Sequence, residues 1–181
     1  LKKNNYRMIK SLYGNEKNGY MGVCIAFPNS YDLLDCKIER VSTISKLPDK
    51  NENTKGYLES FFDYFGFNKN KEMDVMDIVK SRSNTVIALK LQYNNTTRPF
   101  WVLNFHMPCV WRQPKVMEIY SIILQRFIKS ITNNGSDPCI FLGDFNSKPT
   151  SNQYEILTNG LENIDKKNFL NEYPNFIKCE K

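Results

Sequence analysis

The sequence predicts an α/β domain in which mixed or mostly antiparallel sheets pack against outer helices. Several apolar segments have the composition of β-strands, and one long amphipathic segment lies between the last two of them. Strand, helix and strand in this order are typical of a layered α/β sandwich. The chain has 181 residues, which is the usual size of one domain, and we expect residues 1–181 to form a single, partial domain.

Composition supports a folded chain. Hydrophobic residues make up 41% of the sequence and aromatic residues 13%, so enough apolar surface is present to offset the loss of conformational entropy. No apolar stretch is long enough for a membrane span. The formal charge of +6 suits a polyanionic partner such as nucleic acid, although Lys scattered among Asn in surface-like stretches explains the charge more simply.

The five cysteines are odd in number, widely spaced and mostly embedded in apolar runs: Cys24, Cys36, Cys109, Cys139 and Cys179. This spacing matches neither a zinc motif nor a disulfide framework. We therefore predict buried, reduced thiols and an intracellular location, cytoplasmic or nuclear.

The first half of the chain begins with strands. Residues 20–27 are almost continuously apolar and stop at Pro28, which predicts a strand buried on both faces. Residues 31–44 alternate more between polar and apolar side chains. Residues 57–65 are aromatic with helical spacing, which favours a buried amphipathic helix over an aromatic surface loop.

The second half of the chain gives clearer patterns. Residues 85–91 and 100–106 predict a β-hairpin with its turn at 94–97. Residues 115–131 have the apolar period of an amphipathic helix, which we expect to end at Asn134-Gly135. After them we predict a short buried strand, residues 138–142, and a helix that Thr150 or Ser151 caps and that extends through Leu157.

Polar side chains follow that short buried strand. The segment 140–149 reads Ile-Phe-Leu-Gly-Asp-Phe-Asn-Ser-Lys-Pro. Because side chains alternate along a strand, we expect Asp144 and Asn146 to project from one face at its carboxyl end, where open α/β sheets bind ligands. An Asx turn, in which the two side chains bond nearby backbone groups, is the alternative.

A similar pair ends the preceding strand. Asn104 and His106 lie two residues apart at the end of the segment 100–106, and His106 is the only histidine in the chain. A single histidine can equally be a structural residue. If the helix connects two neighbouring strands, however, both polar pairs converge in one cleft. Acid, amide and imidazole are the groups that hold a metal-bound phosphate and stabilise its transition state.

These motifs resemble those of one superfamily. Gly-Asp-Phe-Asn-Ser-x-Pro at 143–149 is similar to the signature of the endonuclease/exonuclease/phosphatase (DNase I-like) superfamily, in the form found in deadenylases, phosphodiesterases and related nucleases. Asn-Phe-His-Met at 104–107 resembles the Asn-Thr-His-Leu motif of that superfamily. Residues 22–27 resemble the strand that follows its metal-binding Glu. The resemblance covers roughly residues 5–160 and implies a DNase I-like sandwich.

The resemblance also implies an activity, which is divalent-metal-dependent hydrolysis of phosphodiesters, with Mg²⁺ or Mn²⁺, in RNA or single-stranded nucleic acid. Asp144 would orient or deprotonate the attacking water and help to bind the metal. Asn146 would bind the scissile phosphate. His106 would contact the phosphate and protonate the leaving oxygen, with Asn104 supporting this arrangement.

Substrate contacts are expected in the loops next to the motifs. Trp111 follows the histidine motif and can stack on a base, while Arg112 and Lys148 can bind phosphate oxygens. A solvent-facing loop with one anchoring Trp is the alternative for Trp111 and Arg112.

The chain departs from the superfamily pattern in two places. Nothing matches the Leu-Gln-Glu motif, whose Glu is the main metal ligand, or the final Ser-Asp-His motif. We therefore expect a fragment that is inactive alone. One alternative function is a non-catalytic binding or structural module on the same scaffold. A second is an inositol-phosphate or lipid phosphodiesterase, which the form of the motif and the basic charge make less favoured.

Overall fold

The computed structural model describes residues 5–15, 19–44, 75, 77–94 and 97–163. The predicted helix at residues 57–65 and Cys179 lie outside these ranges. The elements are β1 (Tyr6–Asn15), β2 (Gly19–Pro28), β3 (Tyr31–Arg40), α1 (Val41–Ile44), β4 (Thr85–Tyr93), β5 (Phe100–His106), α2 (Pro114–Ile131), β6 (Cys139–Asp144) and α3 (Asn152–Asn163). Residues 77–81 are also helical.

The strands form two sheets. β1 and β2 make a two-stranded antiparallel sheet, and the other four strands make a sheet in the order β3-β4-β5-β6. β3, β4 and β5 pair antiparallel, whereas β5 and β6 pair in parallel. The mixed sheet confirms the predicted fold class. Because α2 lies between β5 and β6 in the chain, it is the crossover that brings the carboxyl ends of these two strands side by side.

Two apolar clusters hold the layers together. On one face of the four-stranded sheet, Leu103 and Phe105 of β5 pack in one buried cluster with Tyr120 and Leu124 of α2. On the opposite face, three residues of β2 pack against three of β4: Val23, Ile25, Phe27, Ile87, Leu89 and Leu91. The layers are therefore helices, the four-stranded sheet and the β1–β2 hairpin, in that order.

The predicted helix at 115–131 and the predicted hairpin at 85–106 are both confirmed. α2 begins at Pro114, where the missing N–H of proline costs no helical hydrogen bond. It ends at Ile131, and the residues that follow take positive φ angles of +50° at Asn133, +58° at Asn134 and +87° at Gly135. Left-handed backbone of this kind terminates helices. No described helix is both long and apolar enough to cross a membrane.

The prediction that residues 20–27 are buried on both faces is wrong. Val23, Ile25 and Phe27 are buried, but alternate residues of β2 are exposed, and Tyr20 is 66% exposed. The hairpin is the outermost of the described layers, so only one of its faces packs against another layer. A nearly continuous apolar run therefore belongs here to a strand with one buried face.

The prediction of a buried strand at 138–142 is wrong as well. Phe141 packs against the helical layer, but Ile140 and Leu142 on the opposite face are 49% and 53% exposed. β6 is the edge strand of its sheet. Among the described elements, the hairpin covers β4 and part of β5 but does not extend over β6.

The prediction of buried cysteines is also wrong. The four cysteines in the described ranges, Cys24, Cys36, Cys109 and Cys139, are free and exposed. Cys24 lies on the outer face of β2, and Cys139 begins the edge strand. Burial and, to a lesser extent, the neighbouring Asp35 carboxylate raise the pKa of Cys36.

We expect all five cysteines to titrate as free thiols under denaturing conditions, and the four exposed ones to react in the native protein as well. Because the raised pKa values of Cys36 and Cys139 lower their thiolate fractions, these two cysteines should react slowly for their exposure. Timed alkylation followed by peptide mass analysis measures this. Recovery of two fewer thiols without reductant than with it would reveal a disulfide and contradict the expectation.

Candidate active site

The two sequence motifs meet at the adjacent carboxyl ends of β5 and β6. In the parallel register, Asn104 lies opposite Leu142, Phe105 opposite Gly143, and His106 opposite Asp144. His106 Nε2 is 3.9 Å from Asp144 Oδ2. The backbone N–H of Met107 donates to the carbonyl oxygen of Asp144 at 2.9 Å and so extends the pairing past the last residue of β5. The structure thus places an imidazole and a carboxylate together at one edge.

Gly143 makes this approach of the strands possible. Its φ angle is +147°, and a Cβ atom at this position would lie 1.9 Å from the carbonyl oxygen of Phe105. Only a residue without a side chain lets the backbone of β6 run so close to β5. The glycine therefore determines where the next residue, Asp144, stands relative to His106.

The loop after β6 is an Asx turn, as the alternative interpretation of this motif predicted. The backbone N–H of Asn146 donates to Asp144 Oδ1 at 3.0 Å. Asn146 has a φ angle of +46°, and its Nδ2 donates to the carbonyl oxygen of Met107 at 2.8 Å. The strand ends at Asp144, so strand alternation does not extend to Asn146. These bonds hold the loop against the end of β5, while the Asp144 side chain remains 68% exposed.

Asn104 has a structural contact. Its Nδ2 donates to the carbonyl oxygen of Cys24 at 2.8 Å and so ties β5 to the backbone of β2. This bond fixes the hairpin against the sheet two residues before His106. The supporting role expected for Asn104 remains a prediction, for which this contact offers a physical means.

Two further residues hold His106, and sequence analysis missed both. Tyr13 Oη lies 3.0 Å from His106 Nδ1, and Asn84 Nδ2 donates to the carbonyl oxygen of His106 at 2.8 Å. Burial raises the pKa of Tyr13, an effect that a hydrogen bond with the Asn84 side chain partly opposes. Tyr13 is 93 residues from His106 in the sequence, so no local pattern indicates the contact.

A cavity of about 530 Å³ adjoins the motif at 143–149. Its lining includes Asp144, Asn146 and four aromatic residues: Trp111, Phe141, Phe145 and Tyr154. Trp111 is 52% exposed. Of the three residues predicted to bind substrate, only Trp111 lines this cavity, whereas Arg112 and Lys148 are exposed on the loops beside it. An aromatic wall next to a carboxylate and an amide suits a ligand with a flat ring and polar groups.

The described residues supply only part of a metal site. No cluster of three or more His, Cys, Asp or Glu side chains that could hold an ion occurs within the described ranges. Asp144 is the carboxylate at the site. One carboxylate fits Mg²⁺, because this ion keeps several of its waters and commonly shares substrate phosphate as a further ligand.

The architecture matches solved structures, although no family model and no curated protein matches the sequence. The catalytic domain of human Nocturnin, solved with a bound sulfate anion, superimposes with a TM-score of 0.59 at 17% identity, over 86% of this chain and 48% of that one. An endonuclease/exonuclease/phosphatase from Bacteroides vulgatus gives a TM-score of 0.54 at 19% identity, over 86% and 49%. The chain has the endonuclease/exonuclease/phosphatase fold.

This result confirms the fold that the sequence motifs predicted. Two further solved structures are similar. The 2',3'-cyclic phosphatase ANGEL2, in complex with adenosine-2',3'-vanadate, gives a TM-score of 0.59 at 17% identity, over 88% of this chain and 38% of that one. A mannosyl-6-phosphatase from Bacteroides thetaiotaomicron gives 0.53 at 14% identity, over 86% and 48%. The chain thus spans about half or less of the length of these proteins.

Proposed function

We propose that the protein is a divalent-metal-dependent phosphodiester hydrolase that acts on RNA or other single-stranded nucleic acid. The observation that carries the proposal is the 3.9 Å approach of His106 Nε2 and Asp144 Oδ2 at the adjacent ends of β5 and β6. A carboxylate and an imidazole at this spacing can both reach one phosphate and its attacking water. General acid and base groups must lie within such reach of the reacting atoms.

Three residues of the motifs have a role in the proposed reaction. Asp144 orients the attacking water and accepts its proton, and its exposed carboxylate is open to solvent and to a metal ion. Asn146 holds the loop through Met107, and since an amide NH₂ carries two donors, it can also donate to a phosphate oxygen. His106 donates a hydrogen bond to the phosphate and, in its imidazolium form, gives a proton to the leaving oxygen.

The metal of the proposal is Mg²⁺ or Mn²⁺, with Asp144 as one ligand. When bound, such an ion neutralises phosphate charge and makes water a better nucleophile. The remaining ligands must come from water, from substrate or from residues outside the described ranges.

The nucleic-acid part of the proposal rests on the aromatic cavity. Trp111, Phe145 and Tyr154 line the space next to Asp144, and unpaired bases stack on such side chains without sequence preference. Bases in a duplex are already stacked on their neighbours, so the cavity favours single strands. Exposed Arg112 and Lys148 can contact phosphates on either side, and the formal charge of +6 has the matching sign.

The structurally similar proteins agree with phosphate chemistry. One was solved with sulfate, one with an adenosine vanadate, and one is named a sugar-phosphate phosphatase. Because the last of these acts on a different phosphoester, an inositol phosphate or a lipid is the alternative substrate for the present protein. The single carboxylate at the described site keeps a non-catalytic binding module as the other alternative.

The test is a hydrolysis assay of the product of the complete reading frame with single-stranded RNA, single-stranded DNA, duplex DNA and inositol phosphates. With Mg²⁺ we expect cleavage of the single strands, and with excess chelator a loss of more than about 100-fold, since a catalytic metal is worth several kcal/mol. Binding of single strands without cleavage would contradict the enzyme proposal and support the binding module. Preferential hydrolysis of inositol phosphates would contradict the nucleic-acid part alone.

A further inference from the structure

The part-buried contact between Tyr13 and His106 reaches the site from a different layer of the fold. Tyr13 lies on β1 with 9% of its surface exposed, and its side chain points from the hairpin toward the end of β5. Its Oη atom is 3.0 Å from Nδ1, the ring nitrogen of His106 that faces away from Asp144. The other ring nitrogen, Nε2, is 3.9 Å from Asp144 Oδ2. The two ring nitrogens therefore have different partners.

The partner at Nδ1 can donate to an unprotonated nitrogen. Burial raises the pKa of the Tyr13 phenol, so the hydroxyl keeps its proton and can donate it in a hydrogen bond. A neutral imidazole has one N–H donor and one acceptor nitrogen. If the hydroxyl donates to Nδ1, then the proton of the ring must be on Nε2.

The partner at Nε2 favours the same arrangement independently. A lone pair on Nε2 would face the negative carboxylate of Asp144, whereas an N–H group there is attracted to it. The Asp144 side chain is 68% exposed, so solvent weakens this effect but does not reverse its sign. Asn84 bonds the backbone carbonyl of His106 at 2.8 Å and holds the end of β5 in place.

We propose that Tyr13 is a positioning residue that holds His106 in the tautomer with its proton on Nε2. Nε2 then presents a donor at the edge where Asp144 stands, and Nδ1 is turned away and occupied. The chemical consequence rests on the proposed function: an N–H at Nε2 can donate to an anionic phosphate oxygen or to the leaving oxygen, while the opposite tautomer would present a lone pair there and repel it.

The test compares Tyr13→Phe, which removes only the hydroxyl, with Tyr20→Phe as the matched control. Tyr20 lies on the same hairpin, but it is 66% exposed. Nitrogen-15 NMR of the imidazole at alkaline pH, where the ring is neutral, distinguishes a protonated ring nitrogen from an unprotonated one. The His106→Gln variant lacks the imidazole, so the nitrogen signals that disappear from its spectrum are those of His106. Backbone amide spectra of each variant show whether the fold is retained.

We expect the spectra of the unsubstituted protein, called the parent below, and of Tyr20→Phe to show an unprotonated Nδ1 in His106. The spectrum of Tyr13→Phe should show a mixture of both tautomers. We also expect Tyr13→Phe to lower kcat of the phosphodiesterase by about 10- to 100-fold, the usual loss when an outer partner that orients a histidine is removed. A parent with its proton on Nδ1, or a variant with unchanged tautomers, would overturn the proposal. Mixed tautomers with unchanged kcat would overturn the link to catalysis. Mixed tautomers in a protein whose parent shows no hydrolysis would overturn the proposed function and leave the positioning role intact.

Discussion

Replacing Asp144 with asparagine is expected to remove most of the phosphodiester hydrolysis and leave the fold unchanged. The amide is nearly the same shape as the carboxylate, and its oxygen can still accept the hydrogen bond from the backbone N–H of Asn146. It cannot accept a proton from water or give a metal ion a negative charge. Loss of general-base help alone costs about 10²- to 10⁴-fold, so we expect kcat/KM to fall by at least that amount.

The matched control for this substitution is Asp32→Asn. Asp32 is exposed on β3, the strand at the opposite edge of the same sheet. The Asp32→Asn variant also loses one negative charge, but residue 32 lies far from His106. Its kcat/KM should therefore stay near that of the unsubstituted protein. Equal losses in both variants would show that net charge, and not Asp144 itself, determines the rate. An Asp144→Asn variant as active as the parent would remove Asp144 from the mechanism.

Replacing Gly143 with alanine is expected to destabilise the domain and to abolish the activity. The new Cβ would lie 1.9 Å from the carbonyl oxygen of Phe105, and the φ angle of +147° is strained for any residue with a side chain. Backbone strain and overpacking each cost about 1–3 kcal/mol, so we expect a loss of roughly 2–6 kcal/mol in the free energy of unfolding. Denaturant unfolding measures this quantity.

Gly135→Ala is the control that separates the two causes. Gly135 also has a positive φ angle, +87°, but no atom lies within 4 Å of the position where its Cβ would be. This variant should lose only about 1 kcal/mol from strain and should keep its activity. If both variants were destabilised equally, the close approach of β5 and β6 would not be the reason for glycine at 143.

The sequence predicts an element well when the signal is local. The period of residues 115–131 and the short separation of β4 and β5 are local features of the chain, and the helix and the antiparallel strand pair form as expected. Burial depends on which layer covers a strand, and this is not local. The same kind of apolar run is buried on both faces in β4, on one face in β2, and is largely exposed in β6.

The residues of the candidate site also differ in whether a local sequence pattern predicts their positions. Asp144 and His106 were predicted to meet because the motifs end two strands joined by a helix, and the parallel register places them opposite each other. The sequence predicts the turn at Asn146 only as an alternative, because an asparagine at this position can either continue the extended strand or form a turn. Tyr13 and Asn84 were not foreseen, since no spacing rule connects a residue of the first strand to the end of the fifth.

Side-chain hydrogen bonds fasten the hairpin to the large sheet, and three of them join distant parts of the chain. Tyr13 and His106 are 93 residues apart, Cys24 and Asn104 are 80 apart, and Ser11 and Thr85 are 74 apart. Contacts of such long separation require large loops to close before any stabilisation is gained, so we expect them to form late in folding. The sheet that carries His106 and Asp144 can therefore assemble first, and His106 acquires its Tyr13 partner only when the hairpin docks.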